Sequence, residues 1–235
     1  MKLSVIIPVY NSLSLLDKCI NSITSQSFSD LEIIVVDAGS NDGTQEYLES
    51  LPSNIKWISE PDKGIYNAMN KGLALSNGEW LYFLGADDKL LNSEVLSIVF
   101  QNKLDDVQVI SGNVVYEGGR LKSKKPSWNW LIWLRNNLHH QGTFYHKDLF
   151  SNTKYSEDNN VLSDYEFNLS LYKKKTPYYL IETDIALCGL EGVSKSFNWS
   201  LYNEEIKIKT RLTTKFFLPF FWSIGVAKYL LKGVF

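Results

Sequence analysis

The apolar positions of the chain fall into short unbroken runs separated by stretches of longer period. Leu3–Ile7 is apolar apart from Ser4 and stops at Pro8; LEIIVV at 31–36, IKWIS at 55–59 and Trp80–Leu84 are runs of the same kind. Such runs, bounded by turn-forming residues, predict strands buried on both faces. Between the first two, Leu15, Leu16, Cys19, Ile20 and Ile23 recur at helical spacing behind Ser14, which is placed to cap the helix. A short helix is expected near Thr44–Leu51. Ile65, Ala68, Met69, Gly72 and Leu73 trace one helical stripe, and that helix is expected to end at Asn77-Gly78. The order βαβαβαβ predicts an α/β fold: a Rossmann-like, mostly parallel central sheet with helices on both faces.

The second half is less regular. VQVISGNVVYEGGRL reads as two strands and a turn, SDYEFNLSLYKKK as a helix capped by Ser163, and TPYYLIETDIALCGL as another strand pair. No internal repeat or low-complexity linker divides the chain into independent domains.

In open α/β sheets, ligands bind beyond the carboxyl ends of the strands. Pro8-Val9-Tyr10-Asn11, Asp37-Ala38-Gly39-Ser40 and Gly85-Ala86-Asp87-Asp88 all follow predicted strands, so they converge on one edge. Adjacent carboxylates such as Asp87 and Asp88 repel each other, and a cation relieves that repulsion. Two hard oxygen ligands beside a glycine suit Mg²⁺ or Mn²⁺, which bind one or two carboxylates and complete their shell with substrate phosphates.

With 235 residues and 44% hydrophobic content, the chain can bury a sizeable core. A net charge of −2 gives no reason to expect nucleic acid as a partner. Cys19 and Cys188 are far apart and fit neither a zinc nor a redox motif. MKLSVIIPVYNS is interrupted by Pro8 and Asn11 and does not read as a signal peptide, so a cytoplasmic protein is expected.

The motifs together resemble those of the family 2 inverting glycosyltransferases, which have the GT-A nucleotide-sugar fold. The bacterial surface-polysaccharide branch is the most similar. LSVIIPVYNS resembles the family's opening strand, LEIIVVDAGSNDGT its second strand and turn, and EPDKGIYNAMNKGLALSNGEWLYFLGADD its third motif and acidic motif. The resemblance covers roughly residues 3–195. It implies a transferase domain over 1–200, with a nucleotide-binding half (1–105) and an acceptor-binding half (106–200), followed by a tail at 201–235.

The resemblance also implies roles. Asp37 would bind the nucleotide base, over a loop of Pro8, Tyr10 and Asn11. Asp62, Lys63 and Gly64 would wall the donor pocket, and Lys63 would face the donor phosphates. Asp87 or Asp88 would bind the divalent metal on the diphosphate, Mn²⁺ or Mg²⁺. The family's common D-x-D has Gly85 at its first position here, so both aspartates stay candidates. Asn70 is a candidate supporting residue. LSDYEFNLSL resembles the segment that carries the general base, which assigns that role to Asp164. HHQGTFYHKDLF resembles an H-Q segment, placing His140 and Gln141 on the acceptor or donor-sugar side. Gly192, Val193 and Ser194 resemble part of a loop that closes over the site. The Q-x-x-R-W motif of processive synthases is absent, so one sugar is expected to move per binding event. UDP is the family's commonest donor nucleotide, though other bases occur, and a glycan or lipid-linked saccharide is the expected acceptor.

Two other readings compete. A catalytically inactive homologue that binds a nucleotide or glycan as an assembly subunit would account for Gly85. A sugar-1-phosphate nucleotidyltransferase would need a glycine- and basic-rich loop after the first strand, and PVYNSLSLLDKC has none.

The tail changes the picture of location. After Glu205 there is no acid, while Lys207, Lys209, Arg211, Lys215, Lys228 and Lys232 remain. Phe216–Ala227 is uncharged but shorter than the roughly 20 residues that span a bilayer. Pro219 and Gly225 argue against one clean helix. The expectation is a segment lying in the inner face of the cytoplasmic membrane, a peripheral attachment. Packing on the domain or on a second copy, as a homodimer, is the competing expectation.

Overall fold

The computed structural model describes residues 1–101, 106–116, 123–159, 161–189 and 198–231. In chain order the elements are β1 (Leu3–Val9), α1 (Leu13–Thr24), β2 (Leu31–Asp37), α2 (Thr44–Ser50), β3 (Ile55–Ser59), α3 (Ile65–Leu75), β4 (Trp80–Phe83), β5 (Lys89–Leu90), α4 (Val95–Phe100), β6 (Val109–Tyr116), β7 (Ser123–Lys124), β8 (Thr143–His146), α5 (Ser163–Lys173), β9 (Tyr178–Cys188), α6 (Trp199–Leu212) and α7 (Leu218–Leu230). One sheet runs β3-β2-β1-β4-β8-β6-β9-β5, with β7 beside β6. β3, β2, β1 and β4 are mutually parallel, β8 is antiparallel to both its neighbours, and β6 and β9 are parallel again.

The pleat of β1 explains the two layers. Leu3, Val5, Ile7 and Val9 point to one face, where they pack with Leu16, Cys19, Ile20 and Ile23 of α1 and Leu96 and Val99 of α4. Ile6, with Ile34, Val36, Leu81 and Phe83, points to the other face and meets Ala68 and Met69 of α3, Phe167 and Leu169 of α5 and Ile208 of α6. Each such side chain fully buried contributes about 1.5–3 kcal/mol, so alternation along the central strands is enough to hold helices on both faces.

Several expectations need correction. β1 does not stop at Pro8; it runs to Val9, and Pro8 is buried opposite Val36. The carbonyl of Ile6 faces β4 and accepts from Leu84, so Pro8, two residues on, also faces that side, where pairing with β4 has already ended at Phe83. Its missing N–H therefore costs no ladder bond. The first helix begins before Ser14, which is an exposed residue inside it. The Leu13 N–H is satisfied by Asp42 Oδ2 at 3.0 Å, a partner remote in sequence. Among the described residues, the expected strand pairs at 107–121 and 176–190 each hold one long strand, β6 and β9. Their polar interruptions are paired across strands, Ser111 with Thr143 at 2.9 Å and Asn113 with Asp184 at 3.0 Å, so pairing continues through a register shift.

The tail also differs. α6 carries Ile208 into the second core and α7 folds back along α6, with Tyr229 ring-packed on Trp199 and Tyr202. α7 is continuous. Pro219 lies in its first turn, where no intrahelical N–H is needed, and Gly225 lets it approach α6 closely. A Cβ at Gly225 would lie 2.7 Å from Ile206 Cδ1.

Candidate functional site

The carboxyl ends of β1, β2 and β3 are joined by side chains. Asn11, in the left-handed region at φ 47°, donates its N–H to Ser40 Oγ at 2.8 Å, and its Oδ1 accepts from the Asn41 N–H at 2.9 Å. Asn tolerates that conformation because its short polar side chain can bond locally. Asp37, the last residue of β2, is wholly buried. It accepts from the Ser40 N–H at 3.0 Å, from Ser59 Oγ at 2.6 Å and from Ser40 Oγ. A carboxylate has about four acceptor directions, so these three donors leave one. The Glu60 N–H donates to the Asp37 carbonyl at 3.0 Å, bringing the turn at Asp62, Lys63 and Gly64 alongside. Asp62 Oδ1 accepts from the Gly64 N–H at 2.8 Å, and Lys63 is exposed. Tyr10 stands 62% exposed over this edge.

Asp87 and Asp88 follow β4. Asp88 is 4% exposed, and burial, then the neighbouring Asp87, push its carboxyl up to about 6. Its Oδ1 accepts from the Gly189 N–H at 3.0 Å, and the nearby Gln141 side chain favours its charged form. Both carboxylates turn back over Gly85: a Cβ there would lie 2.7 Å from Asp88 Oδ2 and 2.9 Å from Asp87 Oδ1. Gly85 is therefore the residue that makes room for the pair, which gives its departure from D-x-D a steric reason. A cavity of about 60 Å³ opens beside the pair, lined also by Leu15, Lys18 and Lys89.

Among the described residues, no cluster of three or more His, Cys, Asp or Glu could hold a metal through protein groups alone. The pair nevertheless fits a hard cation of the Mg²⁺ or Mn²⁺ kind, which takes one or two carboxylates and the rest of its ligands from substrate and water. The upward shift of Asp88 marks charge held at a cost that such a cation would offset.

Asp164 lies in the first turn of α5 and is 6% exposed. Its Oδ1 accepts from the Tyr165 N–H at 2.8 Å and lies 3.1 Å from the Tyr66 hydroxyl; its Oδ2 lies 3.3 Å from His140 Nδ1. Burial alone would raise this carboxyl, but His140, the Tyr165 N–H and Tyr66 outweigh it and hold the pKa below the ordinary value. Burial opposes the charge on His140 as well; Asp164 first, then Asp88 and Asp87, outweigh it and raise the imidazole. With the imidazole protonated, the two form an ion pair. Ser163 does not cap α5: its hydroxyl donates to the Ser156 carbonyl at 2.5 Å, and Glu204 Oε1 of α6 accepts from Val161 and Leu162 at 3.0 and 2.7 Å.

His140 and Gln141 share a 3₁₀ turn that leads into β8. The Tyr82 hydroxyl donates to the Gln141 carbonyl at 2.6 Å and fixes that turn. One dipeptide thus lies near both acidic stations: His140 closes on Asp164, and Gln141 favours the charged form of Asp88.

The sequence singled out too little of α3. Asn67 and Asn70 grip opposite oxygens of Glu157 at 2.9 and 3.0 Å, and Asn70 also exchanges two hydrogen bonds with the Tyr155 backbone, at 2.9 and 3.0 Å. Lys71 instead pairs outward with Glu60 at 2.9 Å. Tyr66 and Ser40 lie inside the stretches EPDKGIYNAMNKG and DAGSNDGT that carry the resemblance, but no role was read for them, and Ser59 carried no motif signal. Two asparagines three apart on one helix face were the available clue. Gly192, Val193 and Ser194 lie outside the described residues. A larger cavity, about 490 Å³, is lined by Trp128, Trp133, Tyr172, Lys173 and Tyr178. Lys173 ends α5 and Tyr178 begins β9, so that cavity sits at the edge opposite Asp164.

Comparison with known proteins gives the family and the fold. The model of "Glycosyl transferase family 2" matches residues 4–175. A "PGL/p-HBAD biosynthesis glycosyltransferase" of Mycobacterium bovis is 32% identical over 181 residues, covering 72% of this chain and 69% of the relative. A "GalNAc(5)-diNAcBac-PP-undecaprenol beta-1,3-glucosyltransferase" of Campylobacter jejuni is 39% identical over 121 residues, 49% of this chain and 39% of that protein. Among solved structures, S. aureus TarS 1-349 in complex with UDP-GlcNAc superposes with a TM-score of 0.73 at 19% identity, over 98% of this chain and 72% of that one. At that identity the likeness speaks for the GT-A fold alone. The chain spans 43% of the longer TarS chain. With the matched segment running from β1 to the end of α5 and taking in every acidic station of the edge, the chain belongs to glycosyl transferase family 2.

Proposed function

We propose that the chain moves one sugar, with inversion, from a nucleotide-diphosphate donor to a saccharide carried on a lipid diphosphate, in the synthesis of a cell-surface glycan. The observation that carries this reading is the placement of three carboxylate stations, Asp37, Asp87-Asp88 and Asp164, after β2, after β4 and at the head of α5. UDP is the favoured nucleotide. Two likenesses support these choices: a structural neighbour was solved with UDP-GlcNAc, and a relative is named for a PP-undecaprenol substrate.

In this reading Tyr10 and Asn11 line the base and ribose, with Pro8 beneath them. Asp37 takes the base N–H through its remaining acceptor direction or in exchange for a serine bond. Asp62, Lys63 and Gly64 wall the donor, and the Lys63 ammonium faces its phosphates. Asp88, with Asp87 beside it, holds Mn²⁺ or Mg²⁺, which when bound supplies Lewis-acid stabilisation of the leaving diphosphate. Asp164 accepts the proton of the acceptor hydroxyl as that oxygen attacks the anomeric carbon. The bond to the diphosphate oxygen breaks and the nucleotide leaves. General-base assistance of this kind contributes about 10²–10⁴-fold. His140 and Gln141 stand between the base and the donor sugar. The division into nucleotide-binding and acceptor-binding halves, 1–105 and 106–200, follows from these roles.

The outer face of α7 is assigned to the inner leaflet of the cytoplasmic membrane, in preference to a second copy of the chain. No helix among the described residues is long and apolar enough to cross a membrane, so the attachment is peripheral.

Calorimetric titration of UDP, GDP and dTDP, with and without Mn²⁺, tests the donor site. Tight binding of one nucleotide that needs the cation and is lost in D87A/D88A is the expected result. Binding of none of them under either condition overturns the reading.

A further inference from the structure

α3 begins at the donor-side turn, directly after Gly64, yet its polar face is turned toward the segment that leads into the base. Tyr66 is 6% exposed, and its ring lies 5.5 Å from that of Tyr155. Its hydroxyl is 2.6 Å from the Val161 carbonyl and 3.1 Å from Asp164 Oδ1, and it has one proton to share between them. One turn further on, Asn70 is buried and locked to the Tyr155 backbone, and with Asn67 it holds both oxygens of Glu157. Opposite Tyr66, the His140 ring closes on Asp164 Oδ2. One carboxylate oxygen is thus held from the donor-side helix, and the other from the turn that also lies near Asp88.

We propose that Tyr66 and His140 are positioning residues that clamp the two oxygens of Asp164, so that the helix opening at the donor turn sets the aim of the general base. This rests on the reading of Asp164 as that base. A carboxylate held at both oxygens cannot rotate out of line, and displacement of a reacting group by about 1 Å costs roughly 10²-fold in rate. The titratable groups facing Asp164 are His139 and His140 from the turn, Tyr66 from α3, Tyr116 from β6, Tyr145 from β8 and Tyr155. Burial keeps the four phenols neutral and pushes His139 down to about 4, whereas the pKa of His140 is raised by Asp164.

The test needs no knowledge of the acceptor, because water can replace it. Hydrolysis of UDP-, GDP- and dTDP-sugars with Mn²⁺ is followed against pH for the unaltered protein, Y66F, H140Q and D164N. Tyr66→Phe keeps the ring against Tyr155 and removes only the hydroxyl. The expected result is a kcat lowered roughly 10–100-fold in Y66F, a donor KM within about twofold, and an acid limb moved to higher pH. The limb moves that way because a carboxylate that loses a donor to its charged form becomes a weaker acid. H140Q should move the limb in the same direction, and it keeps the clamp testable if Y66F does not fold. A residue that merely filled space would leave the limb in place. If D164N is inactive while Y66F and H140Q keep the unaltered kcat and limb, the clamp is wrong and the base reading stands. If D164N hydrolyses as fast as the unaltered protein, or no donor is turned over at all, the base reading falls and the clamp falls with it.

Discussion

His140 and Asp164 show how one pair can oppose burial twice. Each is buried, and burial alone would favour both neutral forms; the mutual hydrogen bond and Coulomb attraction outweigh it, lowering the carboxyl and raising the imidazole. A His whose folded pKa is raised contributes stability that is complete below its unfolded value of about 6.5 and lost as pH rises through the folded value. An Asp whose folded pKa is lowered contributes stability present above its unfolded value of about 3.9 and lost as pH falls through the folded value. The pair should therefore stabilise the fold most between about pH 4 and 6.5. Thermal melts across pH 4–9 should show H140Q furthest below the unaltered protein in that window, with the gap closing on the alkaline side. A gap that widens with pH would mean that His140 is neutral in the folded protein.

At the scale of elements, α3 and the α6–α7 hairpin carry the features that local rules underestimate. α3 has an ordinary apolar stripe, but its asparagines bind another segment and do not face water. In the hairpin, Glu205 is held between Lys209 at 2.5 Å and Lys228 at 2.6 Å, joining α6 to α7 around a lysine that is 2% exposed. Burial lowers the pKa of Lys209 to about 8, against the pull of Glu205. Gly225 closes the same interface. Gly225→Leu should force the helices apart at Ile206 and cost about 1–3 kcal/mol, the usual range for overpacking. Chemical denaturation measures it, and a cost below about 0.5 kcal/mol would show that α7 is not seated on α6 as described.

At the scale of the whole molecule, α7 leaves an apolar surface uncovered along its length. Phe216 is 84% exposed, Phe220 53%, Trp222 54% and Leu230 74%, beside exposed Lys215 and Arg211. Contiguous apolar patches of this kind mark sites of association, and flanking cations favour an anionic lipid surface. F216S/F220S/W222S should keep the melting temperature, because none of the three is buried, and should abolish cosedimentation with vesicles of mixed zwitterionic and anionic lipid. Binding by the unaltered chain should weaken as salt rises. If the triple variant still binds the vesicles, α7 is not the attachment; if it instead dissociates a dimer seen before, the surface belongs to a second copy.

The sequence by itself determined the alternation of strands and helices from β1 to β4, the edge on which Asp37, Asp87 and Asp88 gather, and the candidate base Asp164. Strand runs and helical stripes depend on which side chains can be buried, and period and length are enough to read that. The tertiary structure decided what each polar residue does with its hydrogen bonds, because those partners are remote in sequence. Asp42 closes the start of α1, Glu204 takes the N–H groups before α5, and Asn70 binds the Tyr155 backbone. It also decided that Pro8 stays in a strand, that β6 and β9 run through their polar breaks, and that α7 takes in both Pro219 and Gly225. In each case the local propensity was real but cheap to override. A missing N–H costs nothing where no partner strand remains, a polar side chain costs little once it is paired, and a glycine in a helix gains from the close contact it permits.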